Sequence, residues 1–248
     1  MTYAYSISIF CSILLAWLLN FKKNPYITKN FLITVFLINV VGLYLTYTRG
    51  ALLGFLISIP FIFLPKNKKL FKWSLVVGLF IAIIGAVFVV KNPDSNFLRI
   101  KRTQSIKHRV SLYYAASYMI KENSVLGIGY RNFSSLVAKY KEKYDLNKIS
   151  NFKGHAHSNY FEILSGMGLI GFLCYMGFFV AWMKHCLQSG HPYGIVIFPG
   201  IINFMASGLF QSTFIDGEIT FLIMCLFSLT LIMDQKRKES PEVKEAIA

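Results

Sequence analysis

The chain alternates between long apolar runs and short polar segments. Seven runs reach or approach the roughly 20 residues that a helix needs to cross about 30 Å of hydrocarbon. This pattern predicts an all-α, polytopic membrane protein with one large loop between the fourth and fifth spans. The predicted spans are Tyr3 to Phe21, Phe31 to Tyr47, Gly50 to Leu64, Trp73 to Val90, Ser158 to Met183, Tyr193 to Phe210 and Ile219 to Met233.

Composition agrees with a membrane chain, since 55% of the residues are hydrophobic and only 15% are charged. In a soluble protein the net charge of +15 would suggest nucleic acid. Between apolar runs it reflects anchoring at a membrane surface, so we expect the lipid bilayer as a partner and no nucleic acid. The four cysteines lie in or beside apolar runs without metal-ligand spacing, and we expect neither a disulfide nor a metal site.

The basic residues of the short connections predict the orientation of the spans. With the N-terminus outside, the cytoplasmic segments hold twelve Lys and Arg, whereas the short outer connections hold Arg49 alone. The remaining basic residues lie in the long loop, and long loops are largely exempt from this rule. We therefore expect four N-terminal spans (1–90), a large outer loop (91–156), three C-terminal spans (157–233) and a cytoplasmic tail (234–248).

The long loop is the only sizeable polar region, and a loop of that length is usually functional. Within it, Lys107 to Glu122 predicts an amphipathic helix at the membrane face, because large apolar residues recur at three- and four-residue intervals. These residues are Val110, Tyr113, Tyr114, Tyr118 and Met119. The later basic stretch, from Lys139 to Lys153, looks solvated.

Two arginines are candidates for binding an anion. Arg49 occupies a short turn, Thr48 to Gly50, between two predicted spans, and burying Arg in a bilayer costs roughly 2.5 to 3.5 kcal/mol. Its alternative role is to extend to headgroup phosphates. Arg109 offers a planar fork of donors suited to phosphate oxygens. Twelve other basic residues lie in the same loop and most are expected to be solvated, so chemistry alone does not single out Arg109.

A histidine pair, His155 and His157, precedes the fifth span on the predicted outer face. Imidazole accepts a proton from a hydroxyl near neutral pH, which suits His157 to general base catalysis. Metal ligation is the less favoured interpretation, because no third ligand has recognised spacing. Asn159 and Glu162 have the spacing of a helix capping box, which predicts a structural role for Glu162.

Together these segments resemble the bacterial O-antigen ligase family. Residues 155–171 contain the string HAHSNYFEIL, with His157-Ser158 followed by nine residues and then Gly-Leu-Ile-Gly, which is similar to the family signature. Residues 48–51 (TRGA), Arg109 and residues 126–133 (LGIGYRNF) precede it in the expected order. Their co-occurrence in order is more specific than any one segment.

The resemblance implies a glycosyltransferase that moves a glycan from undecaprenyl pyrophosphate to the lipid A core, in lipopolysaccharide biosynthesis at the periplasmic face of the bacterial inner membrane. It implies no cofactor and no essential metal. Arg49 and Arg109 would bind the pyrophosphate and His157 would act on the acceptor hydroxyl. Arg131, Tyr113 and His155 join the substrate-binding candidates, and the loop tyrosines would stack on sugar rings or anchor at the membrane interface.

Alternatives within the family are an O-antigen polymerase, with another glycan as acceptor, and a protein O-oligosaccharyltransferase. Members of the family have more than seven spans, so we expect that this chain lacks N-terminal helices of the full-length enzymes. Two other classes are an inactive membrane fragment of such an enzyme and a transporter component. A transporter predicts ionisable residues in the middle of several spans, whereas Glu162 is the only acidic residue well inside one.

Overall fold

A computed structural model describes residues 2–20, 27–91, 103–189 and 191–238. Within them the secondary structure is entirely helical, which confirms the all-α prediction. The helices are α1 (Thr2–Leu19), α2 (Lys29–Leu45), α3 (Arg49–Ser58), α4 (Lys68–Lys91), α5 (Thr103–Glu122), α6 (Phe133–Lys143), α7 (Asn159–Gln188), α8 (Pro192–Ser207) and α9 (Gly217–Lys238), with short 3-10 helices at Pro60–Ile62 and Leu146–Lys148.

Two described helices are long and apolar enough to cross a membrane: Asn159–Gln188 and Gly217–Gln235. Four other apolar helices are shorter, of 10 to 17 residues. One of them, α3, ends before Pro60, where the missing N–H and fixed φ of proline stop the predicted third span. Seven spans and a periplasmic loop therefore stay a prediction, and Lys22, Lys23 and most of the predicted tail lie outside the described residues.

The chain forms two compact units. The bundle unit comprises residues 1–74, 178–207 and 216–248, and the loop unit comprises residues 75–177 and 208–215. In the bundle unit, α1 packs against α2, α3 and α8. Its α2 exposes large apolar side chains on several sides, as a lipid-facing helix does. They include Phe31, Leu37, Ile38, Val41 and Leu45.

Buried polar side chains join three helices of the bundle unit. The Asn203 amide of α8 donates to Ser12 Oγ of α1 at 2.8 Å, and Ser12 Oγ lies 2.8 Å from Ser58 Oγ of α3. Gly54 lets α3 approach α8 closely, since a Cβ there would lie 2.0 Å from Ser207 Oγ. Small residues and interhelical hydrogen bonds are the usual means of packing helices in a membrane.

The core of the loop unit forms between α5 and α6. The predicted loop helix exists, although it begins at Thr103 instead of Lys107. Its predicted apolar face is confirmed in part: Met119 is buried in the core and Tyr118 packs against it, whereas Val110 and Tyr114 are exposed. On α5, the small residues Ala115 and Ala116 allow α6 to pack closely. The core comprises Leu112, Ala115, Ala116, Met119, Phe133, Val137, Tyr140, Leu146 and Ala156.

Candidate active site

His157 lies in the loop unit, two residues before α7, with a left-handed backbone. Its φ of +51° is uncommon for a residue with a side chain, and such conformations persist where the surrounding structure holds them. The strain turns the chain sharply between His157 and the start of the helix. It is an observed irregularity at the residue that the sequence singled out for chemistry.

The segment 208–215 holds this turn from one side. Ser158 N–H donates to Ser212 Oγ at 3.0 Å, and Asn159 N–H donates to the Gly208 carbonyl at 2.8 Å. The Asn159 side chain returns the contact, since its Oδ1 accepts the Phe214 N–H at 2.8 Å. These hydrogen bonds join the segment 208–215 to the start of α7.

Glu162 holds the turn from the other side. Its Oε2 accepts the Ala156 N–H at 2.8 Å and a weaker contact from the Ser212 hydroxyl at 3.4 Å. The predicted capping box with Asn159 is therefore wrong: α7 already includes Asn159, whose side chain binds the segment 208–215. The Glu162 carboxylate accepts the backbone N–H of Ala156, three residues before α7, instead of the N–H of the predicted cap residue Asn159.

Gln211 orients the His157 ring. Its side-chain oxygen Oε1 lies 2.9 Å from His157 Nδ1. An amide oxygen only accepts, so Nδ1 carries the proton and Nε2 carries the lone pair. No residue in the described part of the chain makes a hydrogen bond to Nε2. This nitrogen can therefore accept a proton, as a general base must.

Arg109 of α5 contacts the same segment. Its Nη1 donates to the Phe210 carbonyl at 3.1 Å, which uses one of five N–H donors and leaves a fork for an anion. Burial lowers the pKa of His157, and the charge of Arg109 lowers it further, against the opposite effect of the Gln211 hydrogen bond. The imidazole is therefore neutral at neutral pH and able to accept a proton.

Aromatic rings flank His157. The His155 ring meets it edge-on at 4.2 Å between centroids, and His155 Nδ1 accepts the His157 N–H at 3.3 Å. The Phe152 ring lies 6.3 Å from His157 and stacks at 4.9 Å on His108. His155 thus supports its neighbour. Within the described residues, no group of three His, Cys, Asp or Glu side chains is arranged to hold a metal ion.

An apolar cavity of about 220 Å³ lies beside the turn. Tyr113 borders it and stacks on Phe161 at 4.9 Å, so a protein ring already covers one face of the tyrosine that the sequence offered for sugar stacking. The other lining residues are Ser158, Tyr160, Leu164, Phe172 and Leu209. Tyr118 likewise stacks on a protein ring, that of Tyr144 at 3.7 Å.

The glycine motifs join the loop to α7. Gly168 has φ +64° and interrupts the helix, so backbone groups around it pair with residues 124–129. Ile128 N–H donates to Ser165 O at 2.9 Å, and Leu169 N–H donates to Ser124 O at 2.8 Å. The close neighbour at Gly168 is therefore the segment 124–129.

Two further predicted residues are exposed. Arg131 is an exposed residue with φ +64° in the turn before α6. Arg49 is exposed in the bundle unit, where it is the first residue of α3 instead of part of the preceding turn. The prediction of a solvated stretch is wrong for Lys141, which is fully buried. Sequence reasoning missed Gln211, whose signal was a polar cluster, Gln-Ser-Thr, between two apolar runs.

Comparison with known families agrees with the resemblance. A family model described as O-antigen ligase matches residues 34–176, which is more than half of the 248 residues and includes Arg49, Arg109 and His157. Among curated proteins, none matches the chain. The match ends at residue 176, one residue before the end of the 75–177 segment of the loop unit. The chain belongs to the O-antigen ligase family, whose members are membrane glycan-transfer enzymes.

Proposed function

We propose that this chain transfers a glycan from undecaprenyl pyrophosphate to a hydroxyl of the lipid A core, with His157 as general base. The observation that carries the proposal is the His157 imidazole itself. Its Nδ1 is bonded to Gln211, its Nε2 is available, and a guanidinium approaches from α5. Family membership supplies the substrate class.

The chemistry is a single displacement at the anomeric carbon. His157 Nε2 removes the proton of the acceptor hydroxyl as its oxygen bonds to that carbon, and the bond from the carbon to the pyrophosphate oxygen breaks. The electron pair leaves with the lipid pyrophosphate. Attack from the opposite face inverts the anomeric configuration, and the product is a new glycosidic bond.

Arg109 is proposed to stabilise the departing pyrophosphate. Negative charge grows on the leaving oxygens, and a fixed guanidinium in a partly water-excluded site stabilises that charge more in the transition state than in the ground state. The sequence resemblance assigns Arg49 to the same anion. Arg131, Tyr113 and His155 are proposed to act in the binding of glycan or acceptor, and His155 also supports the His157 backbone.

We propose that the site faces the periplasm, with the chain in the bacterial inner membrane. Single cysteines at Lys69 and Lys139, in a background without native cysteines, test this with a membrane-impermeant thiol reagent. Lys139→Cys labels from outside if the proposal is right. Labelling of Lys69→Cys alone contradicts it.

The test of function is a transfer assay on purified protein reconstituted with a polyprenyl pyrophosphate-linked glycan. Three acceptors are offered: the lipid A core, a second glycan repeat and a Ser-containing protein, so that ligase, polymerase and protein-glycosylating activities separate. We expect transfer to the lipid A core, and a reduction of about 10² to 10⁴ in His157→Ala. His155→Ala is the matched control with a smaller loss, and an unreduced rate in His157→Ala refutes the base assignment.

A further inference from the structure

Lys141 is a buried cation in α6 that the proposed chemistry does not use. Its side chain has 0% exposure, whereas Lys139 and Lys143 on the same helix are exposed. Burying an ammonium is costly unless hydrogen bonds compensate for the lost water. Burial accordingly lowers the pKa of Lys141. A cation retained in such a place needs a structural or functional reason.

Three uncharged acceptors surround the ammonium. Lys141 Nζ donates to Phe152 O at 2.6 Å, to Ser111 Oγ at 2.7 Å and to Ser150 O at 3.1 Å. An ammonium has three N–H donors, so all of them are used within the protein. Lys141 therefore has no donor left for a substrate, and any role in transfer acts through the residues that it holds.

Those residues lead directly to His157. The carbonyls of Ser150 and Phe152 belong to the segment between α6 and the histidine pair, and Ser111 belongs to α5, two residues after Arg109. The Phe152 ring stacks on the His108 ring at 4.9 Å and lies 6.3 Å from the His157 ring. Fixing the Phe152 backbone fixes one wall of the imidazole.

We propose that Lys141 is a positioning residue for glycan transfer, whose ammonium ties the segment 150–152 to α5 and thereby sets the Phe152 ring against His157. The proposal rests on the proposed role of His157. A purely structural lysine would hold α5, α6 and the segment together without altering the rate of transfer in folded protein. The two roles differ in kinetics and in coupling to Phe152.

The first experiment replaces Lys141 by Met, which keeps the length of the side chain and removes the donors. The matched control is Lys139→Met on the exposed face of α6. Backbone hydrogen exchange and transfer are measured on the purified full chain. Lys141→Met is expected to speed exchange in residues 150–158 and to lower the rate at saturating donor about 10- to 100-fold, with the KM for donor nearly unchanged. Lys139→Met leaves both at the parental values.

Coupling to the ring gives the second readout. If Lys141 acts through Phe152, then Lys141→Met in a Phe152→Leu background costs little further rate, because both changes release the same wall. Losses that multiply in the double variant overturn the proposal. If Lys141→Met does not accumulate in the membrane, Ser111→Ala removes one acceptor and is expected to speed the same exchange, with a rate loss of about five-fold.

The outcomes separate this proposal from the one on which it rests. Unchanged exchange in residues 150–158 of Lys141→Met overturns the positioning role, whatever His157 does. Faster exchange with a parental transfer rate overturns it as well. A parental transfer rate in His157→Ala instead refutes the base assignment. The hydrogen exchange of Lys141→Met is a separate measurement, so it can still show that Lys141 holds residues 150–158.

Discussion

The two units use polar side chains in opposite ways. In the bundle unit, Asn203 bonds to Ser12 and Ser207, so that the hydrogen bonds run from helix to helix or along one helix. In the loop unit, Ser212, Gln211 and Glu162 bond to the backbone and ring of residues 156–158. The first arrangement joins helices, and the second holds one turn in a conformation that it would not adopt alone.

Backbone strain follows the same division. Tyr47 is the one left-handed residue with a side chain among the described part of the bundle unit. The loop unit has Arg131, Asp145 and His157, together with three left-handed glycines. Strained conformations gather where a structure must aim a group, whereas regular helices suffice to pack against each other. We propose from this contrast that the loop unit carries the proton-transfer chemistry, while the bundle unit supplies support and, through Arg49, one ligand for the anion.

The largest expected effect concerns the two arginines, one in each unit. Arg109→Lys should lower transfer about 10²- to 10³-fold, nearly as much as Arg109→Ala, because lysine has no two-pronged donor fork. Arg49→Lys tests whether the bundle unit also contributes an anion ligand, and we expect a comparable loss. Transfer by reconstituted protein measures both, with Lys107→Ala as the control on α5. Full activity in both Lys variants contradicts the pyrophosphate assignment.

Gly168→Ala should destabilise the loop unit by about 1 to 3 kcal/mol, because φ +64° with ψ −167° is a conformation essentially restricted to glycine. The added Cβ would also lie 2.2 Å from the Val125 carbonyl. Gly177→Ala is the matched control in the same helix, since nothing lies within 4 Å of a Cβ there. Thermal unfolding of purified protein compares them. Equal midpoints for the two variants would show that the loop does not depend on the break in α7.

Gln211→Leu should reduce transfer about ten-fold, since the His157 ring loses the acceptor that fixes its tautomer. Gln211→Glu keeps an acceptor for Nδ1 and should retain more activity. Its negative charge favours the imidazolium, so the acidic limb of the rate profile moves to higher pH. Steady-state rates across pH distinguish the variants. Identical profiles for all three proteins would remove Gln211 from the site.

The smallest effect is expected in the bundle unit. Ser12→Ala removes one interhelical hydrogen-bonding group and should cost about 0.6 kcal/mol of stability, the average for such contacts in membranes. Transfer per folded molecule should be unchanged. Unfolding in mixed detergent micelles gives the first quantity and the reconstituted assay gives the second. A rate loss without a stability loss would give this packing contact a direct role in transfer and contradict the supporting role of the helix contacts.

Sequence reasoning found the residues with strong local signals. The α5 helix and its end at Glu122 follow from periodicity, and the family motif singles out His157 in the turn before α7. The packed face of α5 did not, because large tyrosines dominate the pattern while Ala115 and Ala116 allow the close approach of α6.

Residues that act through long-range contacts escaped prediction. Gln211 contacts His157 across 54 positions of sequence, and the polar cluster around Gln211 does not indicate which residue the amide will contact. Lys141 was assigned to a solvated surface because lysine is rarely fully buried. Its three acceptors come from α5 and from the segment before the histidines, an arrangement that only the folded chain creates.

The central claim is that neutral His157 removes the proton of the acceptor. The pH dependence of kcat/KM tests it most directly. Burial and Arg109 lower the pKa of His157 despite Gln211, and the His155 ring lies beside the His157 ring. The account predicts that activity rises with pH through a limb centred below 6.5, that this limb persists in His155→Ala, and that the residual activity of His157→Ala lacks it. An unchanged limb in His157→Ala would contradict the claim.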